Sequence, residues 1–380
     1  MAKLGDVFNL QMGKTPARVN AAYWTNGTNA WVSIADLSSY EKYVGDTKEQ
    51  ITDLAVQESG IKAVPADTII MSFKLSLGKT AITKVPIYTN EAIMAFLPTG
   101  KYDVCPDYFF HLFSGRDWSE GTNRAVMGAT LNKATLSNME VVIPPLDEQR
   151  RIAAVLDKVS DLIAKRREQL RKLDELVKAR FVEMFGDPSA NSQWPTQKLS
   201  KLGELNRGVS KHRPRNDPDL LGGPYPLIQT GDVSNSGLYI SDYSSTYSEL
   251  GLAQSRLWKE GTLCITIAAN IAQTSILAFD ACFPDSVVGF LPGEKTNAVF
   301  VHYWFSFFQK ILEEQAPQVA QKNINLKILS DLDVIVPPYN LQADFSDFVG
   351  QIEKSKLTIQ QSLDKLEVLR KALMQQYFGG

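Results

Sequence analysis

The sequence predicts a mixed α/β (α+β) fold in which two similar globular domains are separated by two long antiparallel coiled-coil helices, an internal pseudo-twofold repeat. Two observations carry this. The first is a heptad seam: Leu156, Ile163, Leu170, Val177 and Met184 stand seven apart, with Ile152, Val159 and Leu173 in the companion phase. That is the spacing of a helix burying one stripe against another helix. The second is that the chain is written twice. Aligning Pro145 with Pro338 gives an offset of 193 (338 − 145), which also carries Gln149 to Gln342, Leu170 to Leu363, Leu173 to Leu366 and Phe185-Gly186 to Phe378-Gly379. A repeat of that length is a duplicated domain, since solenoid units are far shorter.

Taken in order, residues 1–143 form the first globular domain. Lys3-Leu4-Gly5-Asp6-Val7 leads to a polar loop at Gln11-Met12-Gly13-Lys14-Thr15-Pro16. Trp31 to Leu37 reads as a short strand ending in a turn, and Val64 to Phe73 and Glu91 to Pro98 read as further strands, rich in β-branched and aromatic residues. Tyr108 to Phe113 reads as a short buried helix. Residues 144–187 are the first long helix. Pro144-Pro145 sets its start, Asp147 and Glu148 place negative charge in its first turn, and Gly186-Asp187-Pro188 ends it. Residues 188–336 repeat the layout of the first domain, with Lys201 to Leu205, Ile228 to Val233, Gly261 to Ile267 and Phe290-Leu291-Pro292 as its framework. Residues 337–380 are the second long helix, its seam running through Ile352, Ile359, Leu363, Leu366 and Leu373. A stripe on a helix of about 38 residues, roughly 57 Å long, needs cover of matching length. Only the other helix offers it.

Net charge is −2, so there is no global attraction to polyanions, and any nucleic-acid site must be a local patch. The three cysteines are scattered and offer no disulfide framework, which suits a reducing compartment. No apolar run reaches membrane-spanning length and no signal-peptide core is present, so a cytoplasmic location is expected. Gly13-Lys14-Thr15 and Gly78-Lys79-Thr80 resemble the end of a phosphate-binding loop, but Phe8 and Phe73 stand where its first glycine is required. Pro337-Pro338-Tyr339 resembles an amino-methyltransferase loop, yet Val336 stands where a hydrogen-bonding side chain is needed. His111, His212 and His302 lack metal-ligand spacing. The chain is therefore expected to bind no metal or cofactor and to catalyse nothing alone.

Taken together, Ile143 to Ala153, Phe185-Gly186-Asp187-Pro188, the strands at Trp31 to Ile34 and Leu77 to Ile82, and Ile324 to Leu329 resemble the specificity subunit of a Type I restriction–modification system over nearly the whole chain. The resemblance implies two target recognition domains, each reading one half of a split double-stranded DNA sequence. It also implies that the long helices set the gap and hold two methyltransferase subunits. Through them would come restriction subunits, with S-adenosylmethionine, ATP and Mg²⁺ belonging to these partners. For partner contact the helix starts supply Pro145, Glu148, Gln149, Arg150, Arg151, Pro338 and Gln342. The second start departs from the first at Tyr339 to Asp344, where the Asp-Glu-Gln-Arg-Arg pattern is lost.

For DNA contact the basic and amide residues of the loops are the candidates, because Lys and Arg neutralise phosphates while Arg, Asn and Gln pair two-pronged with base edges. In the first domain these are Lys14, Thr15, Arg18, Asn20, Lys79, Arg116 and Arg124. In the second they are Arg207, Lys211, Arg213, Arg215, Asn216, Gln273, Gln318, Gln321 and Lys322, of which Arg207 to Arg215 is the densest basic stretch. The rival is a coiled-coil scaffold whose globular domains bind protein or other ligands, favoured by the near-neutral charge.

Overall fold

Proline sets where both long helices begin. The carbonyl of Pro145 accepts the amides of Glu148 and Gln149, and that of Pro338 accepts those of Leu341 and Gln342. The helices run Leu146–Phe185 and Tyr339–Phe378, 40 residues each. Gly186, at φ 83°, closes the first by donating its amide to the Val182 carbonyl at 2.9 Å. The structure, a computed structural model, describes residues 1–74, 76–118, 123–125, 128–188, 193–268, 271–307 and 324–379, without the side chains of 123–125 and 128–130.

The chain divides into two compact units. One comprises residues 1–167 and 361–380, the other residues 168–360, so each unit owns part of both long helices. Within the first unit the two helical segments run antiparallel. Arg166 donates to the Ser362 hydroxyl at 3.2 Å, and Tyr377 lies beside Arg151. Within the second, Lys356 pairs with Asp174 at 2.8 Å, and the Phe345 ring lies 5.6 Å from that of Phe185.

Each unit carries a larger and a smaller sheet, and the four-strand order of the first unit's larger sheet recurs in the second. In the first, an antiparallel sheet has the order Phe8–Met12, Ile93–Pro98, Ile69–Ser72, Thr80–Ile82, and a second sheet has the order Glu49–Ile51, Asn29–Val32, Tyr88–Thr89. In the second unit the corresponding order is Gly203–Arg207, Val287–Pro292, Leu263–Thr266, Thr274–Leu277, with Tyr239–Ile240 added in parallel at the edge. Its other sheet runs Ser245–Tyr247, Leu221–Leu227, Ala281–Cys282, Leu257–Trp258. Registers repeat as well: Leu10 faces Phe96 in one unit and Leu205 faces Phe290 in the other. The sequence-predicted turn after Val32 is a short helix, Ile34–Ser39, started by a capping box in which Ser33 and Asp36 satisfy each other's amides. Gln11 and Met12, expected in a loop, complete the strand Phe8–Met12, and the predicted helix around Tyr108 spans Pro106–Gly115.

The apolar stripe is shared between helix and globule. Ile152 and Leu156 enter the core of the first domain beside Phe8, Phe96 and Phe109. Their counterparts 193 residues on, Phe345 and Val349, enter the core of the second with Val177, Phe181 and Phe185. Leu373 and Ile352 pack on the edges of those cores. Ile163 and Leu363 are buried outside either core, while Leu170, Leu173, Ile359 and Leu366 are half-buried. Leu156 and Val177, expected in a helix–helix seam, therefore also fasten helix to globule. Cover for the stripe comes from the sheet-backed cores beside each helix end as well as from a helix of equal length.

Gln149 and Gln342 correct a second expectation. Both have 0% exposure and so present no surface to a partner. Gln149 accepts the Cys105 amide at 2.9 Å and donates to the carbonyls of Asp103 and Pro144. Gln342 accepts the Thr296 hydroxyl at 2.9 Å and donates to the carbonyls of Lys295 and Pro337. Each closes the joint between helix start and globule by satisfying main-chain groups that would otherwise be buried unpaired.

Candidate nucleic-acid interface

In both domains a glycine launches the polar loop. A Cβ on Gly13 would sit 2.3 Å from the Thr89 carbonyl oxygen, and one on Gly208 would sit 2.3 Å from that of Phe283. Only glycine lets the strand exit so close to the neighbouring main chain.

After Gly13 the loop is braced. The Trp31 indole donates to the Lys14 carbonyl at 3.1 Å, the Lys14 ammonium to the Ser59 carbonyl, and the Thr15 hydroxyl to Glu91. The Arg18 guanidinium lies 3.8 Å from the Trp24 ring centre and grips Glu49 through both its terminal nitrogens. Asn20 accepts the Ala22 amide and caps a short turn. Four sequence candidates thus share one loop. Lys79 stands on the separate Ile69–Ser72 to Thr80–Ile82 connection, exposed, with no ammonium partner among the described residues. Arg116 lies elsewhere, donating to the Glu140 carbonyl at 3.1 Å and lining a groove of about 670 Å³ with Tyr108, Met374 and Phe378. Arg124 is carried on the short strand Asn123–Ala125.

In the second domain Arg207 ends its strand and turns back to the Asp285 carbonyl, at 2.9 and 2.6 Å. Gln254 accepts the amides of Lys211 and His212 at 2.6 and 3.0 Å, and His212 meets Asp217 at 3.0 Å. Arg213 donates to the carbonyls of Ser210 and His212, while Arg215 pairs with the Asp285 carboxylate at 2.5 Å. Arg215 and Asn216 line a cavity of about 310 Å³ with Ser210, Gln229, Thr230 and Ser286. Lys211, Arg213, Arg215 and Asn216 therefore share one loop, with Arg207 at the end of the strand that leads into it. Gln273 is not among them. It lies in a different recess of about 510 Å³, beside His302, Tyr303 and Lys356. Gln318, Gln321 and Lys322 lie outside the described residues. Sequence reasoning missed Glu49, Glu91, Gln254 and Asp285, the acceptors that shape these loops. Their partners are remote in the chain, and no local pattern marks them.

His302 supplies a pH dependence. Burial first, and the nearby Lys356 charge second, lower its pKa to about 4, and its Nδ1 meets the Thr274 hydroxyl at 3.0 Å. The unfolded chain takes that proton near pH 6.5, so folding stability is full above that value and falls as pH drops towards 4. Urea titrations of the wild type should lose about 3 kcal/mol across that window through this group. His302→Gln should remove that part of the slope, and an unchanged slope would refute the assignment.

At the helix starts Pro145, Arg150, Arg151 and Pro338 are exposed. Glu148 pairs with Arg151 at 2.6 Å and Arg150 with Asp147 at 3.5 Å. Leu162, Leu176, Leu357 and Val368 are exposed along the helices, Val368 to 69%. No helix among the described residues is long and apolar enough to cross a membrane.

Comparison with known proteins follows the duplication. A family model described as the Type I restriction modification DNA specificity domain matches residues 1–173 and again 191–368. The MjaIX Type I restriction enzyme specificity subunit of Methanocaldococcus jannaschii is 24% identical over 410 residues, spanning 98% of this chain and 90% of that protein. The EcoR124I/EcoR124II specificity subunit of Escherichia coli is 28% identical over 168 residues, 42% of this chain and 40% of its own length. Among solved structures, the S subunit of a Type-I restriction-modification system from M. genitalium aligns with a TM-score of 0.60 at 14% identity, over 99% of this chain and 95% of its own. A chain from a type I R-M system studied for complex assembly and conformational transition aligns at 0.59 and 17%, over 99% and 96%. At such identities these two likenesses speak for the fold. With both halves matched by the family model, the chain belongs to the Type I restriction modification DNA specificity family.

Proposed function

We propose that this chain reads a bipartite, asymmetric double-stranded DNA sequence, one half-site per recognition domain, and performs no catalysis of its own. The observation that carries the reading is that the specificity-domain match falls twice, on two frameworks that share a four-strand sheet order while their loops differ in length and chemistry. The recognition domains are residues 1–143 and 188–336, and residues 144–187 and 337–380 are the spacer helices. In the first domain Lys14, Thr15, Arg18, Asn20 and Lys79 meet DNA; in the second Arg207, Lys211, Arg213, Arg215 and Asn216 do. Lys and Arg supply the salt-dependent phosphate contacts, while Arg and Asn can also read base edges.

The helices hold two methyltransferase subunits, through the exposed Pro145, Arg150, Arg151 and Pro338 and the exposed leucines between them. S-adenosylmethionine belongs to those subunits, and ATP with Mg²⁺ to restriction subunits docked on them. The cytoplasm, where the DNA is, is the place of action. The test is selection from random-sequence duplexes by the co-purified complex. Two short specified blocks around an unspecified gap are expected. A single continuous block would refute the bipartite reading, and no enrichment at all would favour a scaffold that binds protein instead.

A further inference from the structure

We propose that Asp285 is an internal counter-ion which occupies the arginines of the second domain's basic loop until DNA phosphate displaces it, and so sets the margin between specific and indiscriminate binding. This rests on the DNA-contact reading of that loop. Three guanidinium groups converge on this one residue. Arg207 is held by its main-chain carbonyl, Arg215 by carboxylate Oδ1 at 2.5 Å, and Arg213 Nη2 lies 3.9 Å from Oδ2. The side chains of Arg213, Arg215 and Asp285 are 54%, 46% and 34% exposed, so the pairs are open to exchange with an anion from solution. The other half of the molecule has a carboxylate at the matching place, holding a hydroxyl there, while its loop arginine, Arg18, pairs with Glu49. At an offset of 194 (285 − 91), Glu91 accepts the Thr15 hydroxyl of the loop that follows Gly13. Two copies of the frame, with unrelated loop sequences, thus place a carboxylate beneath the same loop.

The physical consequence concerns ions. A phosphate that takes Arg215 releases its condensed cation, but the freed Asp285 carboxylate takes one up, so the net release is one smaller than the arginine count implies. A carboxylate within a Debye length also repels every phosphate that approaches, whatever the sequence. Delocalised, non-cognate binding bears the whole of that penalty. Cognate binding recovers part of it, because Asp285 holds Arg213 and Arg215 ordered for their final contacts.

The experiment uses the full chain assembled with its methyltransferase subunits, a duplex carrying the selected site, and a duplex of equal length with both half-sites scrambled. Asp285→Asn keeps the carbonyl that holds Arg207. It should raise affinity for the scrambled duplex about 3- to 10-fold at low salt and steepen the slope of log K against log[salt] by about 0.9. Cognate affinity should change less than about twofold, narrowing the specificity ratio. Asp285→Glu should return the wild-type slope. Should Asp285→Asn fail to fold, Asp285→Ser makes the same test. Scrambled-duplex affinity that is unchanged or lower, at unchanged slope, would overturn the proposal and leave Asp285 as a loop brace. Arg215→Gln separates the two readings: if it leaves both affinity and slope untouched, the loop does not meet DNA and the DNA-contact reading is what fails.

Discussion

Replacing Phe181 by alanine is expected to lower the free energy of unfolding by about 3–5 kcal/mol, the range for truncating a fully buried phenylalanine. Phe181 has 0% exposure, and its ring lies 5.0 Å from Phe185, 5.5 Å from Phe300 and 5.4 Å from both Phe307 and Phe345. Phe307 lies two residues past the helix Ala298–Phe305; the other rings belong to that helix and to both long helices, so one truncation opens a cavity where three elements meet. The cluster is apolar and tightly interlocked, and it has little room to collapse into the gap. Urea unfolding followed by circular dichroism would measure the loss. Leu176→Ala, five residues away and 47% exposed, should stay within about 0.5 kcal/mol. A similar loss for both variants would contradict the packing described.

Seven residues inserted in register into each long helix are expected to abolish binding to the parental site, by about 100-fold or more, while leaving the identity of both half-sites unchanged. The insertion points are Arg167/Glu168 and Gln360/Gln361, where the chain passes between its two units. A heptad preserves the phase of the apolar stripe to within about 20° and lengthens each helix by about 10 Å, the span of about three base pairs. Site selection by the variant should therefore return the same letters around a gap altered by about that amount. New letters in either half-site would refute the separation of reading from spacing, and an unaltered gap would show that the helices do not set it.

The sequence displayed the helices because their signals are local. Proline pairs open them, Phe-Gly closes them, and a period of seven runs between. The duplication was legible for the same reason, and it led to a matching four-strand sheet order in both domains. What escaped notice was long-range or misread. Ser33 and Asp36 carry the three-residue spacing of a capping box, yet the alternating strand before them suggested only a turn. Gln149 and Gln342, expected from the resemblance to meet a partner, are buried, and their recurrence at one offset reflects a buried requirement. Arg18 and Arg215 read as free cations because Glu49 and Asp285 stand 31 and 70 positions away, beyond any pattern a linear reading can register.

The glutamine joints have one further effect. All three partners of Gln149, and two of the three at Gln342, are main-chain atoms, which every amino acid supplies alike. The glutamines are therefore indifferent to the side chains of the head they hold, the Thr296 hydroxyl apart. A head of altered loop sequence can be mounted on the same stem so long as its backbone path and the core residues packed on the helices are kept, and new DNA preferences can be acquired without rebuilding the frame.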